Sequence, residues 1–377
     1  MEFSLIIKKI NNTLSAEEEL IFNDWYSQSE THRQYFKGVL EQFENNRITV
    51  DIKKGWERID QEIRKKNSIK SYWKYAVAAA IVVAVFSLPF TLKNTPSDLP
   101  PTPTLEQQAT IEIGSDKATL TLEDGSSVVL QKGEHYEAGH IKSNGEQLLY
   151  DSTKTSPNVD IAYNILTIPR GGQFFISLSD GTNVWLNSDS KLRYPVAFAE
   201  NQTRKVELVY GEAYFEVSPS AKHNGSHFKV STLNQEIDVI GTEFNIKAYK
   251  EDPIISTTLV EGKVVVKSSQ TFKNLIPGQQ SKLDSKTNSI EISKVDVSNE
   301  VSWKNGFFSF KNKQLEEIIL VLSRWYDVDF KIQNTEAVKI PFNGVFNKKQ
   351  EIENILKIIE NTNEVKFEIK GKTILVE

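Results

Sequence analysis

The sequence contains no cysteine, so disulfide bonds contribute nothing to the stability of the folded protein. That stability must come from hydrophobic cores, and a chain of 377 residues is long enough to form more than one. No strong excess of either charge is present: the formal net charge is -5, which argues against nucleic acid as the main partner. The composition therefore indicates several domains without covalent cross-links and no direct contact with nucleic acid.

Recognisable catalytic and cofactor motifs are also missing. The five histidines are scattered, and only His223 and His227 have a spacing typical of metal ligands, within a polar stretch that favours a loop. The Ser-x-x-Lys match that begins at Ser188 lacks the companion elements of its enzyme class. The segment KGKT lacks the upstream glycine of a phosphate-binding loop. We therefore predict no catalytic, cofactor-binding or metal-binding residues, no cofactor and no enzyme activity.

One long apolar run is present, the 18 uncharged residues 75–92. As a helix this run would extend about 27 Å, close to the ~30 Å hydrocarbon core of a bilayer. Six basic residues lie between positions 58 and 74, whereas Lys93 is the one basic residue in the 18 positions after the run. This asymmetry places the N-terminus in the cytoplasm. We predict a single-pass protein of the bacterial inner membrane that contacts lipid through one helix, with residues 1–70 cytoplasmic and 93–377 periplasmic.

Helical periodicity dominates the sequence before this run. The segment SAEEEL has a capping-box pattern, and apolar residues recur at helical spacing in HRQYFKGVLEQF and DIKKGWERIDQEI. We predict a small all-α bundle over residues 1–70. A bundle of this size is marginal on its own, so a binding partner would complete its core. Its aromatic residues either fill that core or contact the partner, and the candidate contacts are Trp25, Phe36 and Trp56.

The chain after the apolar run changes character twice. Residues 93–108 are rich in proline, which predicts a stiff extended linker. From 109 to 297 the sequence is a succession of short alternating segments with turn signals, which indicates an all-β antiparallel sandwich. The segments ATLTLEDGSSVVL and FFISLSDGTNVWL each read as two strands joined by a two-residue Asp-Gly hairpin turn.

Residues 298–377 contain an internal repeat with a spacing of 37 residues. Apolar positions with helical spacing are followed by apolar positions with strand spacing in both copies. The matching pairs are Leu315 and Ile352, Ile318 and Ile355, Ile319 and Leu356, Leu322 and Ile359, Val328 and Val365, Phe330 and Phe367, and Ile332 and Ile369. The repeat predicts an α+β domain of two β-α-β units.

Several of these segments resemble one known family in their order along the chain. TIPRGGQFFISLSDGTNVWLNSDSKLRYP, RKVELVYGEAYFEV, VIGTEFNIKAY, TTLVEGKVVV and LIPGQQSKL resemble the FecR family of membrane-bound anti-sigma factors. The ending WKNGFFSFKNKQLEEIILVLSRWYDVDFKI is similar to the C-terminal domain of the long members, which resembles the secretin and TonB short N-terminal domain. Residues 1–70 match the family only in size, helicity and position.

The resemblance implies a jelly-roll-like sandwich and a role in signal relay. A transmembrane anti-sigma factor of this kind would pass a signal from an outer-membrane TonB-dependent transporter to a cytoplasmic extracytoplasmic-function sigma factor. Its partners would be that sigma factor and the periplasmic signalling domain of the transporter. Residues 1–70 would then contain the sigma contacts, and residues 298–377 would recognise the transporter.

The resemblance also points to one peptide bond. Some relatives are cut at a Gly-Thr bond that corresponds to Gly241 and Thr242. The threonine hydroxyl would attack the preceding carbonyl, and the amide would become an ester that water hydrolyses. The alternative is that Gly241 permits a bulge or a close approach between strands.

Two other functions remain open at this point. A membrane-anchored periplasmic protein that binds carbohydrate or cell wall could stack sugars on Trp185, Tyr194 and Tyr210, although aromatic residues at alternating positions also pack cores. A membrane protein with an unrecognised hydrolase site is the third alternative.

Overall fold

A computed structural model describes residues 8–10, 14–28, 33, 36–37, 110–150, 162–268, 271–362 and 365–377. The chain divides into two compact units, one made of residues 1–47 and 109–377 and the other of residues 48–108. The second unit lies outside the described residues, and so do the predicted membrane span 75–92 and the predicted linker 93–108, which it contains.

The N-terminal part contains helix α1 (Ala16–Gln28). Its start has the predicted capping box: the Glu18 N–H donates to Ser15 Oγ at 3.2 Å, and the Ser15 N–H donates to Glu18 Oε2 at 3.0 Å. The predicted all-α bundle is not what the structure shows, because α1 is the one helix of several turns in the described part of residues 1–47. In α1, Leu20 and Ile21 are exposed while Phe22 is buried, so this helix lacks the broad apolar face that a bundle requires.

The predicted single-pass inner-membrane topology is also corrected. Among the described residues, no helix is long and apolar enough to cross a membrane. The longest of them, α1, has 13 residues. At 1.5 Å per residue it extends about 20 Å, well short of the ~30 Å hydrocarbon core.

Residues 115–294 form a sandwich of 18 strands. Their bounds are β1 (Ser115–Thr121), β2 (Ser127–Gln131), β3 (Tyr136–Ala138), β4 (Ile141–Ser143), β5 (Gln147–Tyr150), β6 (Tyr163–Ile168), β7 (Gly172–Ser177), β8 (Asn183–Leu186), β9 (Ser190–Pro195), β10 (Arg204–Glu216), β11 (Phe228–Thr232), β12 (Gln235–Val239), β13 (Glu243–Ala248), β14 (Ile254–Glu261), β15 (Val264–Ser268), β16 (Thr271–Leu275), β17 (Gln279–Asp284) and β18 (Ile290–Lys294). A continuous core of buried apolar side chains from both faces fills the space between the sheets.

Strand β10 belongs to both sheets of the sandwich. Its first half pairs with β9 and β11, in the sheet order β2-β1-β6-β9-β10-β11-β12-β15-β16. Its second half pairs with β8 and β13, in the order β3-β4-β5-β7-β8-β10-β13-β14-β17-β18. The strand changes sheet next to a register shift between Leu208 and Tyr210. Gly211 follows with φ 102, and a Cβ there would lie 2.2 Å from Ser190 Oγ, so this crossing requires glycine.

The two Asp-Gly turns are hairpins, but with longer loops than predicted. After β7, the Leu178 N–H donates to the Thr182 carbonyl at 2.8 Å, which leaves three residues in the loop, and the turn after β1 has the same pattern. The glycines take the left-handed conformation, with φ 83 at Gly125 and 79 at Gly181. A three-residue loop with glycine at this position is the next most common hairpin connection after the two-residue turn.

Strand β16 lies at the edge of its sheet. Its central residue Lys273 is opposite Val266, whose side chain is completely buried in the core. Directly opposed residues of an antiparallel pair share a face, but Lys273 lies at the rim of the sandwich and is exposed.

The C-terminal domain has two helices and two small sheets. Its elements are β19 (Phe307–Gln314), α3 (Leu315–Tyr326), β20 (Asp329–Ile332), β21 (Pro341–Asn347), α4 (Ile352–Thr362), β22 (Phe367–Lys370) and β23 (Thr373–Val376), and the short helix α2 (Val297–Glu300) connects it to the sandwich. Buried residues of both helices and both sheets form a second core.

The predicted fold class is therefore wrong for the chain as a whole. The described residues are mostly β, and the parallel pairs β1 with β7, β5 with β7 and β10 with β11 make the sandwich sheets mixed. In the C-terminal domain β19 pairs with β21, whereas β20 and β22 flank β23, so the strands of each predicted β-α-β unit lie in different sheets. Local periodicity identifies strands and helices, but it does not specify which distant strands pair or in which direction.

Candidate functional site

The sandwich contacts the C-terminal domain through the loop between β6 and β7. Arg170 in this loop donates from Nη1 to Asp329 Oδ1 at 2.8 Å, and from Nη2 to the carbonyls of Ser323, at 3.1 Å, and Val328. The Gly171 N–H donates to the Arg324 carbonyl at 2.7 Å. The last carbonyls of a helix lack partners within it and carry partial negative charge. The loop therefore caps the C-terminal end of α3 with a cation and a backbone N–H.

A second contact lies at the same end of α3. The buried Arg324 guanidinium donates to Glu251 Oε1 from Nη2 at 2.5 Å and from Nε at 3.0 Å. Its central carbon lies 3.6 Å from the centre of the Tyr249 ring, within cation-π range. Burial acts to raise the pKa of the Glu251 carboxyl, but the hydrogen bonds and charge of Arg324 outweigh it and lower that pKa. Charge and hydrogen bonding thus hold α3 against the sandwich.

A third contact buries a lysine. Lys348, in the turn between β21 and α4, is 2% exposed, and its Nζ donates to Gln173 Oε1 in β7 at 2.8 Å. Gln173 in turn donates to Asp116 Oδ1 in β1 at 3.0 Å. The same Nζ lies 3.7 Å from the centre of the Trp325 ring. The Lys348 side chain therefore reaches from the C-terminal domain into the sandwich.

A cavity of about 100 Å³ lies between the two domains. Its lining includes Glu212, Tyr249, Trp303, Phe308, Arg324 and Trp325. The Glu212 carboxylate accepts hydrogen bonds from the side-chain amides of Asn187 at 2.8 Å and Asn245 at 3.0 Å. Trp303 Nε1 donates to Asn245 Oδ1 at 3.3 Å, which ties the connecting segment into the same network. The cavity is thus bounded by a hydrogen-bonded polar network from the sandwich together with aromatic side chains.

The predicted sigma contacts are only partly described. Phe36 is half-buried, and its ring centre lies 5.0 Å from that of Phe22 and 5.7 Å from that of Tyr26. Trp25 belongs to α1, but its side chain lies outside the described part of the chain, as does all of Trp56. The role of these three residues stays a prediction.

The Gly241 and Thr242 pair lies immediately before β13. Gly241 has φ 139, and a Cβ at this position would lie 3.0 Å from Pro219 Cα, so the close approach of two backbone segments requires glycine. The Thr242 hydroxyl donates to the Lys263 carbonyl at 2.9 Å. These contacts explain the glycine structurally, and cleavage at this bond stays a prediction.

The aromatic residues considered for sugar stacking are already packed. Tyr194 is completely buried, and its hydroxyl lies 2.9 Å from that of Tyr150. Lys304 Nζ lies 3.9 Å from the centre of the Trp185 ring, and Lys250 Nζ lies 3.6 Å from the centre of the Tyr210 ring. These contacts favour packing over sugar binding.

Comparison with known families gives two matches in this region. Residues 164–265 match the family described as FecR protein, and residues 307–376 match the family described as FecR, C-terminal. Over these residues the chain therefore contains a FecR domain followed by a FecR C-terminal domain. The two matched segments are the two sides of the interface described above, because Arg170, Gln173 and Glu212 lie in the first and Arg324 and Lys348 in the second.

Solved structures agree with this assignment. Two crystal structures, at 1.65 Å and 2.50 Å resolution, show a protein of Parabacteroides distasonis ATCC 8503 that is proposed to be an anti-sigma factor. Each is 26% identical in sequence with a TM-score of 0.52, and the similarity covers 98% of that protein but 56% and 57% of this chain. No curated protein matches the sequence.

Proposed function

We propose that this chain regulates an extracytoplasmic-function sigma factor in response to the signalling domain of an outer-membrane TonB-dependent transporter. The observation that carries the proposal is the succession of a FecR segment and a FecR C-terminal segment in one chain. The similar Parabacteroides protein, itself proposed to be an anti-sigma factor, supports the role in sigma regulation. The transporter and the class of sigma factor rest on the family resemblance.

The sigma factor would bind the N-terminal part through its aromatic residues, with Trp25, Phe36 and Trp56 as anchors. Buried aromatic side chains commonly dominate the binding energy of protein interfaces.

The test is a pull-down with the full chain and extracytoplasmic-function sigma factors from the same genome. Alanine at each anchor should weaken retention at least about tenfold, the effect of losing 1.4 kcal/mol. Asn23→Ala, at an exposed position of α1, is the matched control and should leave retention unchanged. Retention that survives all three changes would place the sigma contacts elsewhere.

The C-terminal domain would take the transporter signal at a strand edge. Strands β20 and β22 are the outer strands of a three-stranded sheet, and each carries a half-exposed isoleucine, Ile332 and Ile369. An unpaired strand edge can accept a strand from a partner, with neighbouring side chains giving specificity.

Lysine at either edge isoleucine should weaken binding of the isolated transporter signalling domain and reduce the sigma-dependent reporter response. Ile358→Lys on α4 is the matched control, because Ile358 is about as exposed but lies on a helix. Equal loss in all three variants would mean a general defect of the domain instead of an edge interaction.

A further inference from the structure

Lys348 is the most deeply buried amine at the domain interface. Among the described residues it makes no ion pair with a carboxylate: its Nζ donates to the neutral Gln173 amide and lies against the Trp325 ring. The backbone of Lys348 is fixed on its own domain, because its N–H donates to Gly306 at 2.9 Å and its carbonyl accepts from Trp325 Nε1 at 2.8 Å. The side chain thus belongs to one domain, and the groups around its amine come from both domains.

The charged groups that face Lys348 come from the sandwich. Glu212 in β10 and Asp116 in β1 both favour the protonated amine, although neither contacts it directly. Burial also raises the pKa of the Asp116 carboxyl. This carboxyl therefore loses its charge more readily and stabilises the Lys348 ammonium ion less. From the C-terminal domain and its connecting segment the amine meets the rings of Trp325 and Trp303, at 3.7 Å and 5.8 Å from their centres.

We propose that Lys348 couples docking of the C-terminal domain onto the sandwich to the release of one proton. When the domains are docked, the amine is enclosed by β1, β7, β10 and two tryptophans. When they separate, the sandwich wall is removed and water reaches Nζ. Docking therefore favours the neutral amine and separation favours the ammonium ion. This coupling does not depend on the proposed function, but it would give the relay two states whose balance a partner can shift.

The direction of the pH effect follows from burial. Burial lowers the pKa of Lys348 from 10.5 to about 7 in the docked state, against the opposing effect of Glu212 and Asp116. Between these two pKa values the separated state binds one proton that the docked state lacks. The docking constant should therefore rise about tenfold per pH unit from about pH 7 upward, and it should be independent of pH below that.

Hydrogen exchange of the Gly171 amide in the full chain measures this equilibrium. That N–H donates to the Arg324 carbonyl of the other domain, so it exchanges when the domains separate. After correction for the intrinsic exchange rate, its protection should rise about fiftyfold between pH 7 and pH 9 in the wild type. Val230, in the middle of β11, is the internal control, because its protection reports unfolding of the sandwich and should lack this slope.

Two variants separate protonation from packing. Lys348→Met is neutral at every pH, so the Gly171 protection should be high and free of the slope. Lys348→Arg stays charged at every pH, so the protection should be low and equally free of the slope. A slope that persists in either variant, or is absent from the wild type, would overturn the proposal. An equal slope at Val230 would do the same, because the proton would then be linked to global unfolding.

Discussion

Arg204 and Asp180 form an ion pair inside the sandwich, with 2.7 Å between Nη1 and Oδ2 and both side chains only 2% exposed. Asp180 belongs to the Asp-Gly turn after β7, and Arg204 is the first residue of β10. The guanidinium also donates to the carbonyls of Ser218 at 3.0 Å and Ser226 at 3.1 Å. One buried cation therefore holds a hairpin turn and two other segments together.

Removing one partner of this pair should destabilise the protein strongly. In Asp180→Ala the Arg204 charge stays buried without its carboxylate, and such a loss costs about 3–5 kcal/mol. Denaturant unfolding of the full chain measures the change. The control is Glu207→Ala, which removes an exposed pair with Arg193 at 3.7 Å and should cost less than about 1 kcal/mol. Similar losses in the two variants would contradict the importance given to burial.

Replacing Arg170 should loosen the C-terminal domain while the sandwich stays folded. Arg170→Ala removes hydrogen bonds from a charged group, each worth about 1.5–3 kcal/mol. Because the chain lacks cysteine, labels on Lys205→Cys and Lys357→Cys, both exposed, can report the distance between the domains without further changes. The distribution of distances between the two labels should broaden in Arg170→Ala. It should stay narrow in Arg193→Ala, which is the matched control because it also removes an arginine from the sandwich surface. An unchanged distribution in both would assign docking to the other contacts.

The Lys348→Met variant should be more stable than the wild type near neutral pH. Below about pH 7 the buried amine is charged in the folded state and opposes folding by its full desolvation penalty. Replacing a buried charge with an apolar side chain commonly stabilises a protein by about 1–4 kcal/mol, although here the Gln173 carbonyl loses its donor. The gain should shrink as the pH rises from 7 towards 10.5, because the wild-type amine is then neutral when folded. Free energies of unfolding at pH 6, 8 and 9.5 test both the sign and the trend.

Gly241→Ala should destabilise the sandwich whether or not the adjacent bond breaks. The added Cβ meets Pro219 Cα at 3.0 Å, and the positive φ is unfavourable for alanine, so a loss of about 1–3 kcal/mol is expected. The intact mass of the purified full chain decides the separate question of cleavage. Two fragments that meet between Gly241 and Thr242, and that disappear in Thr242→Ala, would show self-cleavage. One unbroken chain after long incubation would leave the glycine with its structural role alone.

The sequence predicted the local parts of this structure better than their arrangement. Apolar residues at helical spacing predicted two helices, one from Leu315 and one from Ile352. The helices α3 and α4 begin at these residues. The Asp-Gly pairs marked two hairpins, because glycine at a positive φ is a local requirement. The sequence contains no comparable indication of the contact between the domains. Arg170 and Asp329 are 159 positions apart, and an arginine beside two glycines suggests no particular partner. Nor does Lys348, followed by Lys349 in a polar turn, indicate that its amine is buried, since lysine is almost always exposed.

The exposed Lys273 on the edge strand β16 has a consequence for how copies of this protein behave in solution. An edge strand offers free backbone groups to any extended chain, and identical edges can stack into growing sheets. Lys273 is an exposed charge in the middle of this edge strand, and charged side chains, lysine above all, disfavour the addition of a further strand. The charge therefore opposes edge-to-edge aggregation, and an apolar residue at this position would remove that protection without altering the interface between the two domains.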